Sequence, residues 1–175
     1  KQKFERGIPK NDLEIIGDTT DRGTRITFKA DPEIFKETDH YEYEVLQARL
    51  REQAFLNAGV KIVLIDSRDA ENPREDVFSY EGGIKSFVEY IHKKRGLSGI
   101  HDDIIDFSGT LSDGTSSGEV AFQYNDSYNS LILSFANNIH TVDGGTHEDG
   151  FKRAITKVIN EYAKKYNLLK DNDKK

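Results

Sequence analysis

The sequence contains no cysteine at all. Disulfide staples and thiolate metal sites are therefore excluded, and with nothing pointing to an oxidising compartment the expected location is the cytoplasm. Long apolar runs are missing too. The longest lies within residues 60–65. That is far short of the roughly 20 residues a membrane-spanning helix needs, and no charged-then-apolar leader opens the chain, so no membrane partner is expected. Lys1 stands where an initiator Met would, as expected for a piece of a longer chain. Neither a phosphate-cradling P-loop nor a dinucleotide fingerprint occurs, which leaves no motif with which the chain would hydrolyse ATP unaided.

What the chain does have is aromatic mass and charge. Ten Phe and eight Tyr supply large apolar faces, and charged residues, at 32%, surround them without giving the composition of a disordered chain. At this length folding buries roughly two thirds of the extended-chain surface, enough for one good-sized domain or two small ones. A net charge of −6 argues against nucleic acid as a partner. Its distribution does not, because residues 152–170 hold Lys152, Arg153, Lys157, Lys164, Lys165 and Lys170 against Glu161 alone. The concentrated basic surface falls on the last helix.

Alternation of Thr24, Ile26 and Phe28 with Arg25, Thr27 and Lys29 predicts a half-buried strand over 24–28, with another over 12–16 and the tail of a strand over 1–6. Asp31 and Pro32 break the run and open a helical turn through Phe35. Between Tyr41 and Ala58 the positions Tyr43, Leu46, Leu50 and Ala54, widened by Phe55, follow helical spacing, and Gly59 supplies the stop. A strand over 60–65, a polar hairpin loop over 67–76 and a partner strand over 77–80 come next. The expected domain boundary falls near Tyr80 to Gly83, where two glycines let the chain change direction. Ile84, Phe87, Val88 and Ile91 predict a further helix, with Lys93, Lys94 and Arg95 near its end and Gly96 beyond. Strands are expected over 104–107, 120–124 and 131–135. The Gly/Ser loop at 109–118 joins the first two with a mobile tip, and the tail after Leu169 is expected to fray.

From Asn137 to Leu169 a loop feeds directly into one long amphipathic helix. Gly144 and Gly145 permit positive φ and close approach to a neighbouring surface. Thr146 is the expected cap, with Asp149 at the acidic position of a capping box. Phe151, Ala154, Ile155, Val158, Ile159, Tyr162 and Tyr166 recur at three- and four-residue steps, which predicts one stripe against a core. Glu148 and Asp149 at the start and Lys164 and Lys165 near the end suit the helix dipole.

Short motifs that could carry chemistry have plainer readings. Residues 114–118 match GxSxG around Ser116, but a nucleophile elbow needs a strand turning sharply into a helix, and here a polar loop precedes a strand. His40, His92, His101, His140 and His147 show no i, i+4 pair with a carboxylate, so no metal site is expected. A structural hydrogen bond from His147 to a neighbouring loop is favoured over general-base work. Asn125–Ser127 is a glycosylation sequon without meaning in the cytoplasm. Taken alone, Thr24 and Ile26 are core residues on one strand face, and Lys152, Arg153 and Lys157 a solvated helix face.

The run NNIHTVDGGTHEDGFKRAITKVINEYAKKYNLL, with YEGGIKSFVEYI at 80–91, FLNAGVKI at 55–62 and AFQYNDSY at 121–128, resembles the B subunits of bacterial DNA gyrases, the ATPase subunits of type IIA topoisomerases. KFERGIP and DTTDRGTRITFKADPEIF resemble the segment that follows the ATP lid in that family, so the likeness runs nearly end to end. It implies an α/β fold. Residues 1–79 would form the C-terminal part of a GHKL ATP-binding domain, its sheet and helix layer. Residues 80–175 would form most of a transducer domain with a left-handed βαβ crossover, where pattern alone would default to a right-handed one.

The resemblance also assigns residues. Gly23, Thr24 and Ile26 would line the adenine and inhibitor pocket, the Thr24 hydroxyl reaching into it. Lys152, with Arg153 and Lys157, would face a cavity through which DNA passes, making sequence-independent, salt-sensitive phosphate contacts. In the family the catalytic Glu, the Mg-binding Asn, the nucleotide-binding Asp and the glycine-rich lid lie ahead of the position of Lys1, and a Gln-Thr-Lys loop beyond that of Lys175. No catalytic residue is therefore expected in this chain, ATP and Mg2+ belong to the full-length protein, and the chain by itself should be an inactive monomer. The implied partners are DNA, the gyrase A subunit in the full heterotetramer and a second copy of the gyrase B subunit. The corresponding protein of topoisomerase IV, its own B subunit, shares these motifs, and a free-standing nucleic-acid-binding adaptor of the same fold stays open as a third reading. FLNAGVKI and GlyThrArgIle favour gyrase.

Overall fold

The computed structural model describes residues 1–38 and 40–168, so the tail expected to fray after Leu169 lies outside the described residues. The chain has the α/β character expected of it and divides into two compact units, Lys1–Arg49 and Leu50–Lys175.

In the first unit, β1 (Phe4–Glu5) and β2 (Ile8–Pro9) form a small antiparallel hairpin. Its turn residues, Arg6 at φ 51° and Gly7 at φ 79°, are both left-handed, as a two-residue hairpin turn demands. The Arg6 guanidinium reaches Asp31 at 2.8 Å and Glu33 at 2.9 Å. The expected turn after Asp31 is present. Phe35 N–H donates to the Asp31 carbonyl at 2.8 Å, and the Asp31 carboxylate accepts from Glu33 N–H at 2.9 Å. Phe28 meets Tyr41 edge-on with centroids 4.8 Å apart.

Two strands expected here do not form. Over 12–16 the pairing is limited to Glu14, whose N–H donates to the Lys1 carbonyl at 3.0 Å while its own carbonyl accepts from the Lys1 amino group. Residues 24–28 join no ladder, and Ile26 is 80% exposed. The alternation there is real, but a strand exists only through a neighbouring strand that takes its N–H and C=O groups. Among the described residues no strand pairs with 24–28 to do so.

The second unit holds most of the regular structure. Helix α1 (Tyr43–Leu56) begins in the first unit and ends here, stopping before Gly59 at φ 79°. Strands β3 (Ile62–Asp66) and β4 (Arg74–Phe78) pair antiparallel from Ile62 opposite Phe78 to Asp66 opposite Arg74. Helix α2 (Gly83–Arg95) follows and ends on Gly96, left-handed at φ 64°. Strands β5 (Ile105–Thr110) and β6 (Ser117–Phe122) make a longer hairpin. Its connection is tighter than the expected ten-residue loop, because Leu111 N–H already bonds the Ser116 carbonyl at 2.8 Å.

The strand expected over 131–135 shrinks to β7 (Phe135–Ala136), paired with β8 (Ile139–His140). Asn137 and Asn138, at φ 49° and 64°, form the left-handed turn between them. Every ladder among the described residues is antiparallel, so none of these pairings is the parallel contact of a βαβ crossover.

An aromatic stack centres the second unit. Phe55, 1% exposed, lies 3.7 Å from the Tyr80 ring and 4.8 Å from Phe87, with Tyr90 at 5.4 Å. Arg51 covers the faces of Phe78 and Tyr90 and donates to the Tyr90 hydroxyl at 3.1 Å. Gly83 is buried at φ 54°, and a Cβ there would sit 3.3 Å from Ala58 Cβ, so the turn into α2 requires glycine.

Candidate nucleic-acid interface

Helix α3 (Thr146–Lys165) carries the basic residues. The chain enters it through Gly144, at φ 75°, and Gly145, which occupies the N-cap position. This corrects the expected cap: Thr146 is already helical, no side chain caps the helix, and Asp149 N–H bonds the Gly145 carbonyl at 3.0 Å. The dipole arrangement is as expected, with Glu148 and Asp149 in the first turn and Lys164 and Lys165 in the last.

The apolar stripe is only partly covered. Phe151 meets Phe122 of β6 edge-on at 5.9 Å, and Ile155 is half-buried. Beyond them Val158, Ile159, Tyr162 and Tyr166 are each more than half exposed, so the continuous burial expected of the stripe is not found. Helical periodicity aligns these side chains on one face, but only a neighbouring element can cover them.

Between β7 and the first turns of α3 runs a chain of hydrogen bonds. The Ser134 hydroxyl donates to Glu148 Oε2 at 2.6 Å, since a carboxylate can only accept. With that proton committed, the Thr141 hydroxyl is the donor across its 2.7 Å contact with Ser134 Oγ or to the Ser134 carbonyl at 2.9 Å. His147 Nε2 lies 3.3 Å from Thr141 Oγ1, which gives it the structural role read for it from the sequence. At the other end Lys152 Nζ donates to Glu148 Oε1 at 2.5 Å. The Lys152 bond, and then the Ser134 bond, hold the Glu148 carboxyl below its ordinary pKa, and the Glu148 bond raises that of Lys152.

Lys152, Arg153 and Lys157 do come together. With Thr156 and Asn160 they line a shallow, open groove of about 380 Å³ on α3. Their pairing differs. Lys152 is held by Glu148, whereas Lys157 faces Glu161 at 3.9 Å between two exposed side chains, and Arg153 makes no ion pair among the described residues.

Gly23, Thr24 and Ile26 are not brought against anything comparable. No atom lies within 4 Å of a Cβ built on Gly23, and Thr24 and Ile26 are exposed. The described residues do not enclose a nucleotide there, and no group of three His, Cys, Asp or Glu among them is placed to share a metal ion. Ser116 sits at a hairpin tip leading into β6, unlike a nucleophile elbow. The sequon residues form a local turn, Asn125 Oδ1 accepting from Ser127 N–H at 2.9 Å.

Sequence reasoning missed the anchoring of Glu148. The Glu148–Lys152 spacing of four, with the acid on the N-terminal side, was the available signal for half of it. Ser134, fourteen residues away, gave none.

The geometry defines an α/β protein whose basic surface is the outer face of one helix, fastened by polar bonds to a β-hairpin. A family model described as DNA gyrase B matches residues 83–175. The DNA gyrase B subunit of Clostridium acetobutylicum is 51% identical over 174 residues, 99% of this chain and 26% of that protein. Its counterpart from Staphylococcus aureus is 50% identical over 170 residues, 97% of this chain and 26% of that one. The crystal structure of the B-subunit of the DNA gyrase from Myxococcus xanthus superposes with a TM-score of 0.70 at 25% identity, over 86% of this chain and 45% of that one. The chain belongs to the DNA gyrase B family. It spans about a quarter of the length of the curated relatives it matches.

Proposed function

We propose that the chain is an internal part of the ATPase subunit of bacterial gyrase, a type IIA topoisomerase that couples ATP binding and hydrolysis to DNA gate closure, strand passage and negative supercoiling. In this reading residues 1–79 close a GHKL ATP-binding domain and residues 80–175 form most of the transducer. The left-handed βαβ crossover implied by the resemblance belongs to that transducer. Its partners are DNA, the gyrase A subunit in the heterotetramer and a second copy of its own kind, and its location is the cytoplasm. The identity of about half the residues to gyrase B subunits favours gyrase over topoisomerase IV or an adaptor.

The observation that carries the DNA reading is the basic groove of α3, where three cations gather on a chain that is otherwise acidic. Such a face makes phosphate contacts that ignore sequence. ATP and Mg2+ are assigned to the full-length protein, with Gly23, Thr24 and Ile26 contributing a wall only when other parts of it close around them. By themselves these residues do not enclose a nucleotide.

The test is DNA-stimulated ATP turnover by the full-length protein assembled with its gyrase partner. An Arg153→Glu, Lys157→Glu variant is expected to lose the stimulation by DNA. Stimulation at the unmodified level would overturn the assignment of this face to DNA.

A further inference from the structure

We propose that Glu148 is a positioning residue which holds the Lys152 ammonium back on its own helix, so that Arg153 and Lys157 are the side chains that reach phosphate. The inference rests on the DNA-facing reading of α3 above. Glu148 is only 15% exposed, and each of its oxygens has a donor: Ser134 at 2.6 Å on one and Lys152 at 2.5 Å on the other. Ser134 is itself fixed by Thr141, whose N–H and hydroxyl both reach the Ser134 carbonyl, at 2.8 and 2.9 Å.

An anchored carboxylate cannot follow Lys152 outward. For Lys152 to reach a phosphate it must give up a charge-assisted bond and leave a half-buried carboxylate with Ser134 as its remaining partner. The carboxylate would also repel an approaching phosphate. Lys157 is placed differently, because Glu161 is 65% exposed, meets it at 3.9 Å and is free to swing away. Arg153 has no described carboxylate to leave. Its planar fork also suits phosphate better than an ammonium does.

The test is the salt dependence with which the full-length protein binds a short fluorescein-labelled DNA duplex of mixed sequence, followed by anisotropy from about 50 to 200 mM KCl. Arg153→Met and Lys157→Met should each reduce the steepness of log K against log salt by about one. Lys152→Met should change it much less. Glu148→Gln should make it steeper by releasing Lys152, a gain that a purely structural role would not produce and that Lys152→Met in the same chain should remove. Ser134→Ala should act in the direction of Glu148→Gln, and Ser134→Thr, which keeps the hydroxyl, should restore the original slope. A loss for Lys152→Met equal to that for Arg153→Met, or an unchanged slope for Glu148→Gln, overturns the inference while sparing the DNA reading. Unchanged slopes for all three neutralised cations overturn both. Glu148→Gln decides the matter even where Lys152→Met fails to fold.

Discussion

Asn138 Nδ2 donates to Asn57 Oδ1 at 2.8 Å, which ties the turn of the β7–β8 hairpin to the residue just past the end of α1. Gln53 Nε2 adds a second tie, to the Asn138 carbonyl at 2.9 Å. Asn138 thus serves twice: its backbone takes the left-handed φ of 64° that the turn needs, and its amide spans 81 residues of sequence.

Asn138→Ala removes the amide and puts a less tolerant residue in the left-handed region. We expect a loss of about 2 kcal/mol in urea unfolding, against about 1 kcal/mol for Asn138→Gly, which keeps the backbone freedom. Equal losses for the two would show that the turn conformation contributes nothing.

Phe55 is clasped between Tyr80 and Phe87. Phe55→Ala should cost about 3–5 kcal/mol, the range for a deleted core aromatic. Phe55→Leu should cost less. A denaturation midpoint unmoved by Phe55→Ala would remove this stack from the core.

Asp66 accepts from Arg68 Nε at 2.9 Å and Nη2 at 2.6 Å, and these bonds hold its carboxyl down at about 2 from an ordinary 3.8. A depressed acid stabilises the fold above its unfolded pKa, and that contribution disappears as pH falls through the folded value. Thermal melts are therefore expected to show Tm falling between pH 4 and 2 for the unmodified chain, and falling less over that window for Asp66→Asn. Parallel melting curves for the two proteins across that window would refute it.

Ile159 is 51% exposed on α3 despite its place in the apolar stripe. Ile159→Gln should shift the stability of this chain by no more than about 0.5 kcal/mol, as for other exposed positions. A loss near that of a core deletion would mean the stripe is covered in solution.

How much of this was legible beforehand depended on how far each feature reaches along the chain. The three helices are legible from spacing, and the ends of α1 and α2 from Gly59 and Gly96, because a helix satisfies its backbone within a few residues and a left-handed terminus favours glycine. The β3–β4 and β5–β6 hairpins were read for the same reason, since each strand's partner follows within a short loop. The strand expected at Thr24–Phe28 failed where pairing had to come from afar.

That Arg153 and Lys157 share one face is legible in the sequence, as positions four apart on a helix are neighbours, while Lys152 is turned about 100° from Arg153 and joins them only at the edge of that face. The sequence likewise determined the acidic balance, the lack of disulfides and the family to which the chain belongs. Only the tertiary structure decided that Glu148 is anchored through Ser134 to a hairpin, and that Val158, Ile159, Tyr162 and Tyr166 on the apolar stripe of α3 stay more than half exposed. Those outcomes depend on which distant segment comes to lie beside each side chain, and local periodicity carries no record of that.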